Sequence, residues 1–166
     1  MPRERSITDE LVYEAQLHAA RFGGPRPVVP AKHLAIVACM DSRIDVFDLF
    51  GLGIGDAHVI RNAGGIVTDD VLRSLVLSQR VLKTREVVLV HHSDCGLQQI
   101  REDEFRAHLL AETGEEPPYV FGAFTDVDDA VRHAIERVRG HAFLPHRDNV
   151  RGFVYHVDTG GLHEVT

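Results

Sequence analysis

The run Val87-Val88-Leu89-Val90 passes without a break into His91-His92-Ser93-Asp94-Cys95-Gly96. Consecutive β-branched and leucine residues leave no polar face, so they predict a strand covered on both sides. The polar turn that follows carries an imidazole and a thiol close together, the nitrogen and sulfur donors that suit zinc. A chain with this stretch is committed to a buried strand whose end is equipped for chemistry, and the other elements are best read by what they add to it.

A second run of the same kind, His33-Leu34-Ala35-Ile36-Val37-Ala38-Cys39, also ends on a thiol, and Ala57 to Ile60 predicts a shorter strand between the two. Helical patterns separate them. Ile44 to Phe50 predicts a short helix closed by Gly51, and Thr68-Asp69-Asp70 starts a longer one with Leu72, Leu75, Val76, Gln79 and Leu82 on one face. A helix is expected after Gly96, interrupted or restarted near Asp103 and broken by Glu115-Glu116-Pro117-Pro118. Thr125-Asp126-Val127-Asp128 reads as a capping box for a helix with Val127, Val131, Ala134, Ile135 and Val138 on one face and Gly140 at its end. Gly152 to Val157 and Leu162 to Val165 flank Thr159-Gly160-Gly161 and predict a terminal hairpin. Strands alternating with helices imply an α/β fold, a mostly parallel central sheet flanked by helices, in one domain over residues 1–166. Within it, residues 1–30 form a distinct N-terminal piece. Ser6 and Asp9 offer a capping box for a helix from Thr8 to Phe22, and the proline-rich connector Arg26-Pro27-Val28-Val29-Pro30 sets that helix apart from the core.

Charge and composition exclude several classes of function. The net charge of −7 comes with no cluster of Lys or Arg able to neutralise a row of phosphates, which argues against nucleic acid as a partner. No apolar run approaches the roughly 18 residues of a membrane span, and the N-terminal stretch has no apolar core of a secretory signal. The expected compartment is therefore the cytoplasm. There the two cysteines are better explained by metal binding or burial than by a disulfide.

In open parallel sheets, ligands gather beyond the carboxyl ends of the strands. Cys39 closes one buried strand and His92 and Cys95 close another, giving three strong zinc donors and a fourth position for water, the coordination of a catalytic site. The competing reading of each cysteine is a buried small hydrophobe. His91 rivals His92, because adjacent strand residues point to opposite faces; spacing from Cys95 favours His92 if a helical turn begins there. Asp41 and Arg43, at alternate positions after Cys39, would share a face of an extended segment near the metal; the alternative is a surface ion pair capping the next helix. Gly64 and Gly65 follow another strand, so their backbone N–H groups would either line the same crevice and bind a small anion or make a tight turn. The remaining histidines show no ligand spacing.

Three motifs taken together, Cys39-x-Asp41-x-Arg43, Arg61-Asn62-Ala63-Gly64-Gly65 and His92-x-x-Cys95-Gly96, resemble the β-class carbonic anhydrases in order and spacing. The resemblance implies Zn²⁺ on Cys39, His92 and Cys95, with Asp41 and Arg43 as a catalytic dyad. It implies reversible hydration of CO2 to bicarbonate and a proton by hydroxide on that zinc. It also implies a homodimer or an assembly of dimers, with the N-terminal helix reaching toward the partner subunit. In such a family Asp41 can replace water as a fourth ligand; an open site is expected at neutral or alkaline pH and closure on acidification. Two rival functions use the same residues: hydrolysis of carbonyl sulfide or carbon disulfide, and a non-catalytic zinc-binding or redox-sensing domain.

Overall fold

The computed structural model describes residues 6–166. Five strands form one sheet in the order β2-β1-β3-β4-β5: β1 (Leu34–Cys39), β2 (Ala57–Asn62), β3 (Glu86–His92), β4 (Val150–Tyr155) and β5 (Leu162–Val165). The first four run parallel and only β5 is antiparallel, paired with β4 as the second arm of the hairpin. Because β1 and β3 are adjacent and parallel, with Ala38 opposite Val90, Cys39 and His92 emerge on the same edge of the sheet. The two strand-end motifs are thus neighbours in space.

Among the described residues five α-helices flank the sheet: α1 (Ile7–Ala20), α2 (Val46–Leu49), α3 (Asp69–Arg80), α4 (Glu102–Thr113) and α5 (Val127–Arg139). Alternation along the central strands splits their side chains between two cores. Ala35, Val37, Val87 and Leu89 pack with Leu72 and Leu75 of α3 and Val131, Ile135 and Val138 of α5. Ile36, Ala38 and Val90 pack with Ile44, Val46 and Leu97, and both cysteines belong to this second cluster. The metal-ligand candidates are therefore set into apolar packing and not on a loop tip. Thr68 and Asp126 cap α3 and α5 by accepting from Val71 N–H and Asp129 N–H.

Differences from the sequence expectation lie at element ends. The first helix ends at Ala20, short of Phe22. The second shrinks to a single turn capped by Asp45, and β2 continues through Arg61 to Asn62. Asp126, not Thr125, caps α5, because its carboxylate is the group placed to accept the N–H three residues on. α4 stops at Gly114, which takes the left-handed conformation, before Glu115 and the prolines are reached. α1 has the expected capping box between Ser6 and Asp9, yet buries none of its residues.

Candidate metal centre

β1 delivers Cys39 and β3 delivers His92, and a turn from Ser93 returns the chain so that Cys95 caps a 3₁₀ turn at Gly96–Gln98. The ligand atoms of Cys39, His92 and Cys95 all lie within 4.8 Å of one another, and all three residues are buried. A tetrahedron with metal–sulfur bonds near 2.3 Å and metal–nitrogen bonds near 2.1 Å has edges of roughly 3.5–4 Å, so a zinc ion fits with at most a small contraction. His92 Nδ1 lies 2.9 Å from the Ser93 carbonyl, which selects the tautomer with Nδ1 as donor and leaves Nε2 as the free donor pair. That Nε2 is buried and has no hydrogen-bond partner among the described residues, an unmet demand that a cation would satisfy. The residues fit the metal.

The electrostatics agree. Hydrogen bonding from the Cys95 thiol holds the Cys39 thiol well below its ordinary pKa, against the opposing effect of burial, with His92 and the Asp41 N–H adding to it. Cys95, donating to Cys39 and desolvated, is pushed up. One thiolate is thus available and the second awaits a cation able to displace its proton. Burial draws the His92 pKa down, but the Cys39 thiolate beside it more than offsets this and the net shift is upward. His91 behaves differently. It is fully buried against Phe124, neither ring nitrogen has a partner among the described residues, and burial pushes its pKa down to about 4. It is a neutral ring in the core and does not join the cluster.

His92, and not His91, joins the cluster, and for a reason other than the one expected. No helical turn starts at His92, which is still the last residue of β3. Strand alternation turns it to the face where Val88 and Val90 pack, and Asp94, with φ of 55°, makes the sharp reversal that brings Cys95 back. Asp41 and Arg43 likewise share a turn, not an extended segment. The Asp41 carboxylate accepts from Arg43 N–H at 2.9 Å, from Nε at 3.0 Å and from Nη2 at 2.8 Å. Arg43 holds this carboxylate far below the usual range, so Asp41 is ionised, with Oδ2 3.8 Å from His92 Nε2.

Gly64 and Gly65 sit in a 3₁₀ turn, Ala63–Gly65, packed beneath the ligand segments, with φ of 76° and 67°. A Cβ on Gly65 would stand 2.8 Å from Cys39 N and 2.9 Å from the Val90 carbonyl; one on Gly64 would stand 2.3 Å from Leu97 Cδ1. Three contributors have no role in the sequence reading, although Arg61 heads one of its motifs. Arg61 donates to the Cys39 carbonyl at 2.9 Å and to the Asp41 carbonyl at 2.7 Å, fixing the backbone on either side of Met40. The Ser93 carbonyl accepts a hydrogen bond from His92 Nδ1–H, and Ser93 Oγ accepts from Val157 N–H at 3.1 Å. Asp94 pairs with Arg43 at 2.8 Å. The one signal for Asp94 in the sequence is an acidic residue inside His-x-x-Cys, complementary in charge to Arg43.

A carbonic anhydrase family model matches residues 34–162. The β-carbonic anhydrase 1 of Mycobacterium tuberculosis is 45% identical over 161 residues, covering 97% of this chain and 99% of that protein. A carbon disulfide hydrolase of Acidithiobacillus thiooxidans is 32% identical over 151 residues, covering 79% of this chain and 76% of its own length. The crystal structure of carbonic anhydrase from Streptococcus mutans superposes with a TM-score of 0.91 at 39% identity, covering 98% of this chain and 99% of that one. With the Cys-His-Cys cluster at the carboxyl edge of a parallel sheet, this agreement over nearly the whole length shows that the chain belongs to the carbonic anhydrase family, in its β class.

Proposed function

We propose that this chain catalyses the reversible hydration of CO2 to bicarbonate and a proton, with Cys39, His92 and Cys95 holding zinc and Asp41 and Arg43 directing the reaction. The observation that carries the proposal is the buried, partnerless His92 Nε2 facing two thiols, with an ionised carboxylate 3.8 Å away. When bound, zinc supplies the Lewis acidity that makes hydroxide available near neutral pH. Asp41 accepts a hydrogen bond from the attacking oxygen and so orients its lone pair toward carbon. Arg43 keeps that carboxylate ionised and aimed. Its pairing with Asp41 supports an open site, since an Asp41 turned to the metal would give up these bonds. Gly64 and Gly65, which bring backbone against Cys39 and Leu97, place the small substrate beside the ligands. The cysteines, free and gathered at one site, suit a reducing compartment such as the cytoplasm.

Metal analysis joined to a CO2 hydration assay tests the proposal. The expected result is about one zinc per chain and rapid hydration. Zinc with sulfide release from carbon disulfide and no hydration would favour the hydrolase reading instead, and zinc with neither activity a non-catalytic domain. Asp41→Ala and Arg43→Ala are expected to retain zinc and lose on the order of 100-fold in kcat/KM, the scale of a deleted transition-state contact. Full activity in either would remove it from the mechanism.

The same reading includes a homodimer. Leu11, Val12, Tyr13 and Phe22 are 64%, 52%, 53% and 61% exposed, and an isolated helix of this length is marginal in water. A groove of about 1030 Å³, lined by Ile66, Val67, Tyr119, Val120, Phe124 and Ala130, offers apolar cover of matching kind. The α1 helix of a second copy is its proposed occupant. Deleting residues 1–24 is expected to convert a dimer into a monomer in sedimentation at micromolar concentration; an unchanged dimer would dismiss the arm as the link.

A further inference from the structure

We propose that Asp94 is a positioning residue for the hydration reaction: it holds Arg43 from the side opposite Asp41, so that Arg43 presents the Asp41 carboxylate in one orientation. This step rests on the function assigned above.

The guanidinium is held along two edges. One edge gives Nε to Asp41 Oδ1 at 3.0 Å and Nη2 to Asp41 Oδ2 at 2.8 Å. The other gives Nη1 to Asp94 Oδ2 at 2.8 Å and Nη2 to the Asp94 carbonyl at 3.0 Å. A single bidentate pair fixes two planes relative to each other but lets them swing together on the arginine stem. Anchoring the second edge removes that swing. Packing cannot replace the anchor, because the Arg43 side chain is 45% exposed. The two anchors also come from different places: Asp41 follows β1 and Asp94 follows β3, between His92 and Cys95. The bridge therefore refers the Asp41 carboxylate to the segment that carries two of the three ligand candidates.

Asp94 adopts a left-handed backbone at φ 55°, a conformation that Asp and Asn tolerate better than most residues. That turn is what points both its carboxylate and its carbonyl at Arg43. With its side chain 64% exposed, Asp94 is poorly placed to stabilise the fold through this pair. Its effect belongs in the rate and not in thermal stability.

Asp94→Asn and Asp94→Gly both accept the backbone conformation while weakening or removing the carboxylate contact. Each is measured alone and in an Arg43→Ala background, on zinc-loaded protein, for metal content, melting temperature and kcat/KM toward CO2. The expected result is full zinc, an unshifted melt, and a loss on the order of tenfold in kcat/KM, larger for Gly than for Asn. In the Arg43→Ala background neither change should cost anything further, because the interaction it removes is already gone. Wild-type kcat/KM in both single variants overturns the proposal, as does an equal loss in both backgrounds or a loss of zinc. A wild-type chain that binds zinc without hydrating CO2 refutes the assigned function, whereas an active wild type with indifferent Asp94 variants refutes only this step.

Discussion

Cys39→Ser and His92→Ala are each expected to lose stoichiometric zinc and to lower CO2 hydration by on the order of 1000-fold or more, since no side chain can supply the metal's acidity. Serine cannot stand in for cysteine, because its hydroxyl does not ionise near neutral pH and the site is built around a thiolate already stabilised by Cys95, His92 and the Asp41 N–H. Alanine at His92 removes the nitrogen whose tautomer the Ser93 carbonyl selects. His91→Ala is the control. It deletes a buried ring of similar size from the adjacent position of the same strand, so it should cost about 2–4 kcal/mol through the cavity it leaves while zinc stays bound. Elemental analysis on dialysed protein, with thermal melts, separates the two classes: zinc retained in both Cys39→Ser and His92→Ala, or lost in His91→Ala, would reject the ligand assignment.

The contrast between the two histidines shows what a sequence can and cannot carry. The apolar runs ending at Cys39 and at His91-His92 predict covered strands, and adjacency of those strands in a parallel sheet then brings the donors together. The first inference needs only residue type and period, and it holds; the adjacency of β1 and β3 is a matter of strand order, which no local pattern encodes. Which histidine faces the ligands depends on the strand's last residue and on a reversal at Asp94. No periodic signal marks a single left-handed aspartate. Asp41 and Arg43 were legible as a pair because they are close in sequence. Their true arrangement is a turn closed by Arg43 N–H on the carboxylate, with Asp94 on the far edge of the guanidinium. The latter contact joins residues distant along the chain and becomes visible only once β1 and β3 are neighbours. Arg61 belongs to the same class: its motif was visible, but its bonds to the Cys39 and Asp41 carbonyls are tertiary. The helix α1 shows the reverse case. Its capping box and apolar positions are plain in the sequence, yet its own chain gives it no core to enter.

Gly65→Ala is expected to be far more damaging than Gly64→Ala, although both glycines stand side by side with positive φ. The difference lies in what each new methyl would meet. At Gly64 the obstacle is the tip of Leu97, a side chain with other rotamers, so a cost of about 1–2 kcal/mol from the backbone conformation and modest repacking is expected. At Gly65 the methyl would stand 2.8 Å from Cys39 N, 2.9 Å from the Val90 carbonyl and 3.0 Å from the Ala38 carbonyl carbon. These are backbone atoms of two hydrogen-bonded central strands, and they cannot yield without separating β1 from β3. Added to the left-handed conformation, that places the cost above about 4 kcal/mol, a large part of a typical domain's total stability. Separation of the strands would also pull Cys39 away from His92, because these residues close β1 and β3. Gly65→Ala should therefore show a sharply lowered denaturation midpoint and substoichiometric zinc in whatever fraction folds, while Gly64→Ala keeps its metal. Equal midpoints and full zinc in both variants would mean that β1 and β3 can open locally at the site without losing the ligands.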